Sequence, residues 1–368
     1  MTANVRPPSS ALTSLVVASR YMPAYLALLV LVIVAAIWVP ETLGGPALSA
    51  IAPFGALLGI TALGQMLVVM TGGIDLSTPG TLTLAAMIMV GVGRQSDDRI
   101  ALALLTAVGV AALIGLVNGI LIGGLKLNPL IVTLAVGQVV TGVLSRYVRT
   151  FPVQSAVPGA MSGWTTRRIL GVSPIFWIGV VVTVFVIIVL RYTSIGRRFQ
   201  VVGANPVASN VVGVRVTVNQ ILVYVVAAVL YAMAGAALAG LLRNPGVNIG
   251  SPYLLGPIAA VVIGGASLTG GLASPLSTFA AALFLTGLNQ MMRALGLATA
   301  LQYVVFGAVI IGGMLISGDR IIKGIEQLLR ERRSPRRRKP TRREDTREGV
   351  TSTGRPDIET AKTPRPGD

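Results

Sequence analysis

Residues 100–125 read IALALLTAVGVAALIGLVNGILIGGL, an uncharged run between Arg99 and Lys126. A helix crossing the hydrocarbon core of a bilayer needs about 20 mostly apolar residues. A Lys, Arg or Asp at its centre costs roughly 2.5–3.5 kcal/mol. A run of this length and composition calls for lipid around it rather than water. Working outward with the same test, the uncharged stretches 21–40, 42–74, 76–93, 127–145, 169–190, 216–242, 244–292 and 294–318 are further spans. The stretch 244–292 is too long for one pass and is broken by Gly264, Gly265, Gly270, Gly271 and Pro275, so it divides in two. The expectation is an all-α integral membrane protein, a polytopic bundle of about ten transmembrane helices, some of them discontinuous.

Composition agrees. Of the 368 residues 53% are hydrophobic and 12% charged, against about 25% charged in soluble domains. Before residue 318 the only acids are Glu41, Asp75, Asp97 and Asp98. With no cysteine and no histidine, the chain lacks disulfides, thiolate chemistry, imidazole bases and the usual zinc ligands. None of its four lysines (Lys126, Lys323, Lys339, Lys362) follows a Gly-rich phosphate loop. No cofactor is expected on this chain, and any ATP used would be bound by another. The run Tyr25–Val39 follows Arg20 as in a signal peptide, but no small-residue cleavage site stands before Pro40 and Glu41, and it reads as a retained helix.

Three regions follow: an N-terminal segment 1–20, a transmembrane domain 21–318 and a tail 319–368. The tail holds 15 basic and nine acidic residues and almost no large apolar residue after Leu329, a composition that favours disorder. Its basic core suits anionic lipid heads, and the net charge of +17 reads as a topology anchor with no call for nucleic acid. The tail and the basic 191–215 loop (Arg191, Arg197, Arg198, Arg215) fall on the same side for ten spans, which puts both termini in the cytoplasm.

Three places interrupt the apolar pattern. At Thr71-Gly72-Gly73-Ile74-Asp75-Leu76-Ser77 two glycines end one helix, and Ser77 with Pro79 suits the start of the next. Asp75 there is either a cap for the first helical turn or a polar element lining a translocation path. In the basic loop, Asn205 is a good N-cap, Pro206 a good first helical residue and Gly213 a stop, giving a helix of about seven residues. Val207, Val211 and Val214 make an apolar stripe, which would rest on lipid or dock into a groove on a cytoplasmic partner. The third place, Gly264-Gly265-Ala266-Ser267 through Gly270-Gly271 to Pro275, repeats the order of the first, with Val68–Met87 set against Val261–Leu283. Gly55/Gly59 and Gly115/Gly119/Gly123 have the spacing of close helix packing. Asn118, Asn128, Gln138, Asn289 and Gln290 are amides in or near spans, suited to a neighbouring helix or a hydroxylated solute.

Together these places resemble the ribose-type (monosaccharide) permease family of bacterial ATP-binding cassette importers. The resemblance runs from the 71–77 signature through Asn128-Pro129-Leu130-Ile131-Val132-Thr133-Leu134 and the segment from Ser194 to Val214, to the late Gly-rich element, over about residues 45–317. Where the family often has acids after the coupling-loop Asn, this chain has Pro206, Val207, Ala208 and Ser209. The resemblance implies a permease subunit of the cytoplasmic (inner) membrane, itself no enzyme, that imports a pentose or hexose. It implies two cytoplasmic ATPase subunits, a second permease chain (identical or homologous) and an extracytoplasmic solute-binding protein. It assigns the 191–219 loop to coupling, through Arg197, Arg198, Gly203, Ala204, Asn205, Ala208 and Gly213. It assigns Thr71, Gly72, Gly73, Asp75, Ser77, Asn128, Thr133, Gly264, Gly265 and Ser267 to the signature and translocation path. The alternatives are the same architecture carrying nucleosides or branched-chain amino acids, and an ion-coupled secondary transporter with Asp75 as its coupling acid.

Overall fold

The computed structural model describes residues 10–150 and 156–317. The 319–368 tail and residues 1–9 of the N-terminal segment lie outside them. The described residues are helical, with one isolated bridge between Ile169 and Val172. The helices are α1 Ser10–Trp38, α2 Gly45–Met70, α3 Thr78–Gly91, α4 Ile100–Gly119, α5 Pro129–Thr150, α6 Gly159–Thr166, α7 Pro174–Tyr192, α8 Ser194–Ala204, α9 Pro206–Val211, α10 Val216–Leu242, α11 Leu255–Ile263, α12 Pro275–Ala294 and α13 Thr299–Ser317. A π turn over Ile120–Gly124 prolongs α4.

Among the described residues, six stretches are long and apolar enough to cross a bilayer: Arg20–Trp38, Gly45–Met70, Asp97–Gly124, Pro129–Val148, Pro174–Tyr192 and Val216–Leu242. The sequence reading of about ten counts further segments that the backbone breaks up. The span at 76–93 becomes α3, 14 residues long, and the first half of 244–292 becomes α11, nine residues long. At 1.5 Å per residue neither reaches across the hydrocarbon alone.

The centre of the bundle is α2 and α10, which are buried over most of their lengths. Small residues set how closely their neighbours lie. A Cβ on Gly55 or Gly59 would strike Leu283 or Phe279 of α12, and one on Gly115 or Gly119 would strike the α10 backbone at Tyr224–Val225 or Ile221. Both small-residue spacings in the sequence therefore lie at helix contacts. Near the end of α2, Gln65 is fully buried.

The basic segment 191–215 holds more helix than the sequence suggests. Besides the expected short α9 it forms the 11-residue α8, capped at its start by Thr193, whose Oγ1 accepts from the Gly196 N–H at 3.2 Å. This corrects the reading of the segment as a loop with a single helix. The two glycines of α8 lower its helix propensity, but Gly196, Phe199, Val202 and Gly203 make a buried face that ties it to the bundle.

Candidate functional site

Two helix ends in the core close in the same way. After α2, the Gly72 N–H donates to the Val69 carbonyl (2.9 Å) and the Gly73 N–H to the Val68 carbonyl (3.1 Å). After α11, the Gly265 N–H donates to Val262 (2.9 Å) and the Ala266 N–H to Val261 (3.1 Å). Both are Schellman caps with a glycine in the left-handed region, Gly72 at φ +84° and Gly265 at φ +78°. The chain order noted between Val68–Met87 and Val261–Leu283 is thus repeated in hydrogen bonding, 193 residues apart by the pairing of Val68 with Val261.

Beyond the first cap the chain leaves the helix and is held by side chains of its neighbours, with Asp75 Oδ2 buried and unpartnered among the described residues. Asp75 is 1% exposed. Its Oδ1 accepts from the Ser77 N–H (2.8 Å) and Ser77 Oγ (2.6 Å), while Asn118 Nδ2 donates to that same Oγ (2.9 Å). Thr133 Oγ1 accepts from the Leu76 N–H (2.9 Å) and donates to the Pro129 carbonyl (2.8 Å). With its amide turned to suit its neighbours, Gln65 accepts from the Asp75 N–H (3.1 Å) and donates to the Asp75 carbonyl (3.0 Å). The amides and hydroxyls of α2, α4 and α5 thus replace the water that an extended strand would otherwise need. Thr71 closes the cap through Oγ1 to the Val68 carbonyl (2.9 Å). Asn128 stands apart from this cluster: it is exposed and caps α5, Oδ1 accepting from the Leu130 N–H at 2.9 Å. After the second cap, Ser267 is buried and bonded to Thr269 (2.8 Å). A Cβ on Gly264 would lie 2.9 Å from Thr278 Cα.

The structure brings the three sequence elements to one point. The Gly271 N–H donates to the Met70 carbonyl at 2.8 Å, joining the end of α2 to the loop before α12. The last turn of α8 lies on that bond. A Cβ on Gly203 would run into the Met70 carbonyl and stand 2.8 Å from the Gly271 nitrogen, and Gly271 faces Ala204 in turn. Beyond Ala204, Asn205 Oδ1 accepts from the Ala208 N–H (3.0 Å), Pro206 begins α9, and Gly213 ends it at φ +81°. The inner side of α9 is the buried Ser209, whose Oγ donates to the Asn205 carbonyl (2.7 Å). Its outer side is bare: Val207, Val211 and Val212 are 75, 83 and 71% exposed. Arg197 and Arg198 are exposed on α8.

Sequence reasoning missed α8, Gln65 and the meeting of residues 70, 203 and 271. The lone amide at position 65 inside the uncharged stretch 42–74 was the available signal for the second of these.

A family model for the permease component of the branched-chain amino acid transport system matches residues 47–314. The chain belongs to this permease family. Curated relatives include the galactose/methyl galactoside import permease protein MglC of Escherichia coli (strain K12), 31% identical over 305 residues, covering 78% of this chain and 90% of that protein. The ribose import permease protein RbsC of Bacillus subtilis (strain 168) is 32% identical over 296 residues, 79% of this chain and 91% of that protein. The fructose import permease protein FrcC of Rhizobium meliloti is 33% identical over 264 residues, 70% and 73% of the two chains. No solved structure matches. As a member of the family the protein is a multi-pass permease component of the cytoplasmic membrane and performs no covalent chemistry itself.

Proposed function

We propose that this permease is the membrane subunit of an ATP-binding cassette importer for a monosaccharide. The observation that carries the coupling role is the bare valine face of α9, set directly behind the Gly203 contact with both broken helices. An apolar surface of this kind on a six-residue helix has no stability of its own in water. It suits a groove on a cytoplasmic ATPase, with Arg197 and Arg198 beside it for acidic groups. Movement of α8 and α9 would press on Met70 and Gly271, and so on the ends of α2 and α12 together. Gly203, Ala204, Asn205, Ala208 and Gly213 form that coupling element, and the two glycine caps with Asp75, Ser77, Thr133, Gly264 and Ser267 form the breaks it works on.

In this reading α3 and α11, each prolonged by its flanking backbone, cross together with α12, α13 and the six long stretches, ten passes in all that put the termini and α8–α9 in the cytoplasm. The sugar class rests on the galactose, ribose and fructose permeases among its relatives. A second permease chain and an extracytoplasmic binding protein complete the assembly in this reading. The two hydrogen bonds that Asp75 Oδ1 accepts from Ser77 at the start of α3 favour a capping role over ion coupling.

The test is uptake of labelled D-ribose, D-galactose and D-fructose by cells expressing the complete importer. The expected result is uptake that survives a protonophore while ATP is maintained and stops when ATP is depleted. Uptake that follows the proton gradient at constant ATP rules the proposal out.

A further inference from the structure

At the end of the bundle remote from α8 and α9 there is a cavity of about 320 Å³. It lies among the first turns of α2, the last turns of α10 and α12, and the start of α11, with Phe54 and Tyr253 as aromatic walls. Beside Leu285, four polar residues of α12 line it: Thr286, Asn289, Gln290 and Arg293. Their spacing of i, i+3, i+4 and i+7 puts them on one helix face. A polar stripe on a membrane helix is unfavourable unless its groups are satisfied. The Thr286 hydroxyl donates to the Ala282 carbonyl at 3.0 Å and keeps its lone pairs for the cavity. Neither the Asn289 nor the Gln290 amide bonds to another described residue, and no carboxylate among the described residues pairs with Arg293.

The neighbouring cavity of about 290 Å³ between α1, α2, α7 and α12 makes the contrast. Its walls are mostly apolar, with Leu28, Leu31, Leu283 and Met291, and its polar side chains are only Thr42 and Thr286, with no amide and no charge. In the first cavity two amides, each both donor and acceptor, match the double character of a hydroxyl group. A volume near the lower end of the roughly 300–1,000 Å³ of small-molecule sites suits one sugar ring.

Resting on the sugar-permease reading, we infer that this cavity is a solute site within a single permease chain. It holds one neutral monosaccharide by its hydroxyls through Asn289 and Gln290, with Phe54 and Tyr253 against its C–H faces.

The chain has no cysteine, so one introduced thiol reports alone on this subunit. Asn289→Cys, Gln290→Cys and, as an outer-surface reference, Asp98→Cys are each expressed with the complete importer. They are labelled from outside with a membrane-impermeant maleimide, with and without D-ribose, D-galactose, D-fructose or sucrose. The expected result is labelling at 289 and 290 that the imported monosaccharide slows, by roughly tenfold at about ten times its Kd. Sucrose should have no effect, and position 98 should respond to no sugar. An Asn289→Ala/Gln290→Ala variant should reach the membrane and lose import severalfold. If the wild type imports a sugar but the thiols at 289 and 290 stay unlabelled or unprotected, the cavity assignment is wrong and the importer reading survives. If the wild type imports none of the three, the sugar reading itself fails, and the assigned occupant with it.

Discussion

Asp75 is the residue whose chemistry the sequence leaves most open, between cap and transport group. Its Oδ1 serves the Ser77 N–H and hydroxyl in a site closed by Gln65, Asn118 and Thr133. Asp75→Asn keeps an acceptor there and should leave abundance and uptake near wild type. Asp75→Ala strands the buried Ser77 N–H at about 1–3 kcal/mol, which should lower the thermal aggregation midpoint of the purified permease. If Asp75→Asn instead abolishes uptake with stability intact, the carboxylate charge takes part in transport. The two cap glycines give a second comparison. Gly72→Ala meets only left-handed strain, about 1–2 kcal/mol, because nothing lies within 4 Å of the added Cβ. At Gly265 the same strain is joined by collision with the Arg20 carbonyl, so Gly265→Ala should destabilise more than Gly72→Ala in the same melting assay. Residue roles set by local rules were readable in advance: Asn205 as cap, Gly213 as stop, the paired glycines as helix ends. Gln65 was not, because its partner is a backbone segment ten residues on that must fold back along its own helix.

Among elements, the paired α8 and α9 show where sequence reading ends. Helix α9 carries its boundary signals within eight residues of chain. Helix α8 has a glycine near each end and two arginines between, and it is held by burial of Phe199 and Val202. That burial depends on residues far away in sequence. Two substitutions separate the faces of the pair. Gly203→Val drives a side chain into the Met70 carbonyl and should abolish uptake through the junction itself, with reduced stability. Val207→Asp/Val211→Asp alters only exposed positions. It should leave membrane abundance and melting unchanged while the ATPase no longer co-purifies. Retention of the ATPase by that double variant would exclude α9 as its docking element.

For the whole molecule, charge-free runs identified a membrane bundle, because the insertion penalty acts on each segment separately. Their number and their partners depend on how the breaks fold. The uncharged stretch 244–292 reads as two passes, yet its first helix is only nine residues long, and turns and irregular backbone at 264–274 separate it from α12. Orientation is open to the same thiol chemistry used above. Val211→Cys should react only when the cytoplasmic face is exposed, and Leu170→Cys, 85% exposed, only from outside. Reaction of both from one side would overturn the ten-pass topology.

The contact of Met70, Gly203 and Gly271 is backbone against backbone, with no side chain to rotate or compress. A joint without play carries force in either direction, and linkage makes the exchange symmetric. If nucleotide binding changes the affinity of the outer pocket by some factor through this joint, a filled pocket changes the nucleotide affinity by that same factor. The permease would then report to its motor whether cargo is aboard, as a shift in nucleotide affinity of that same size and sign.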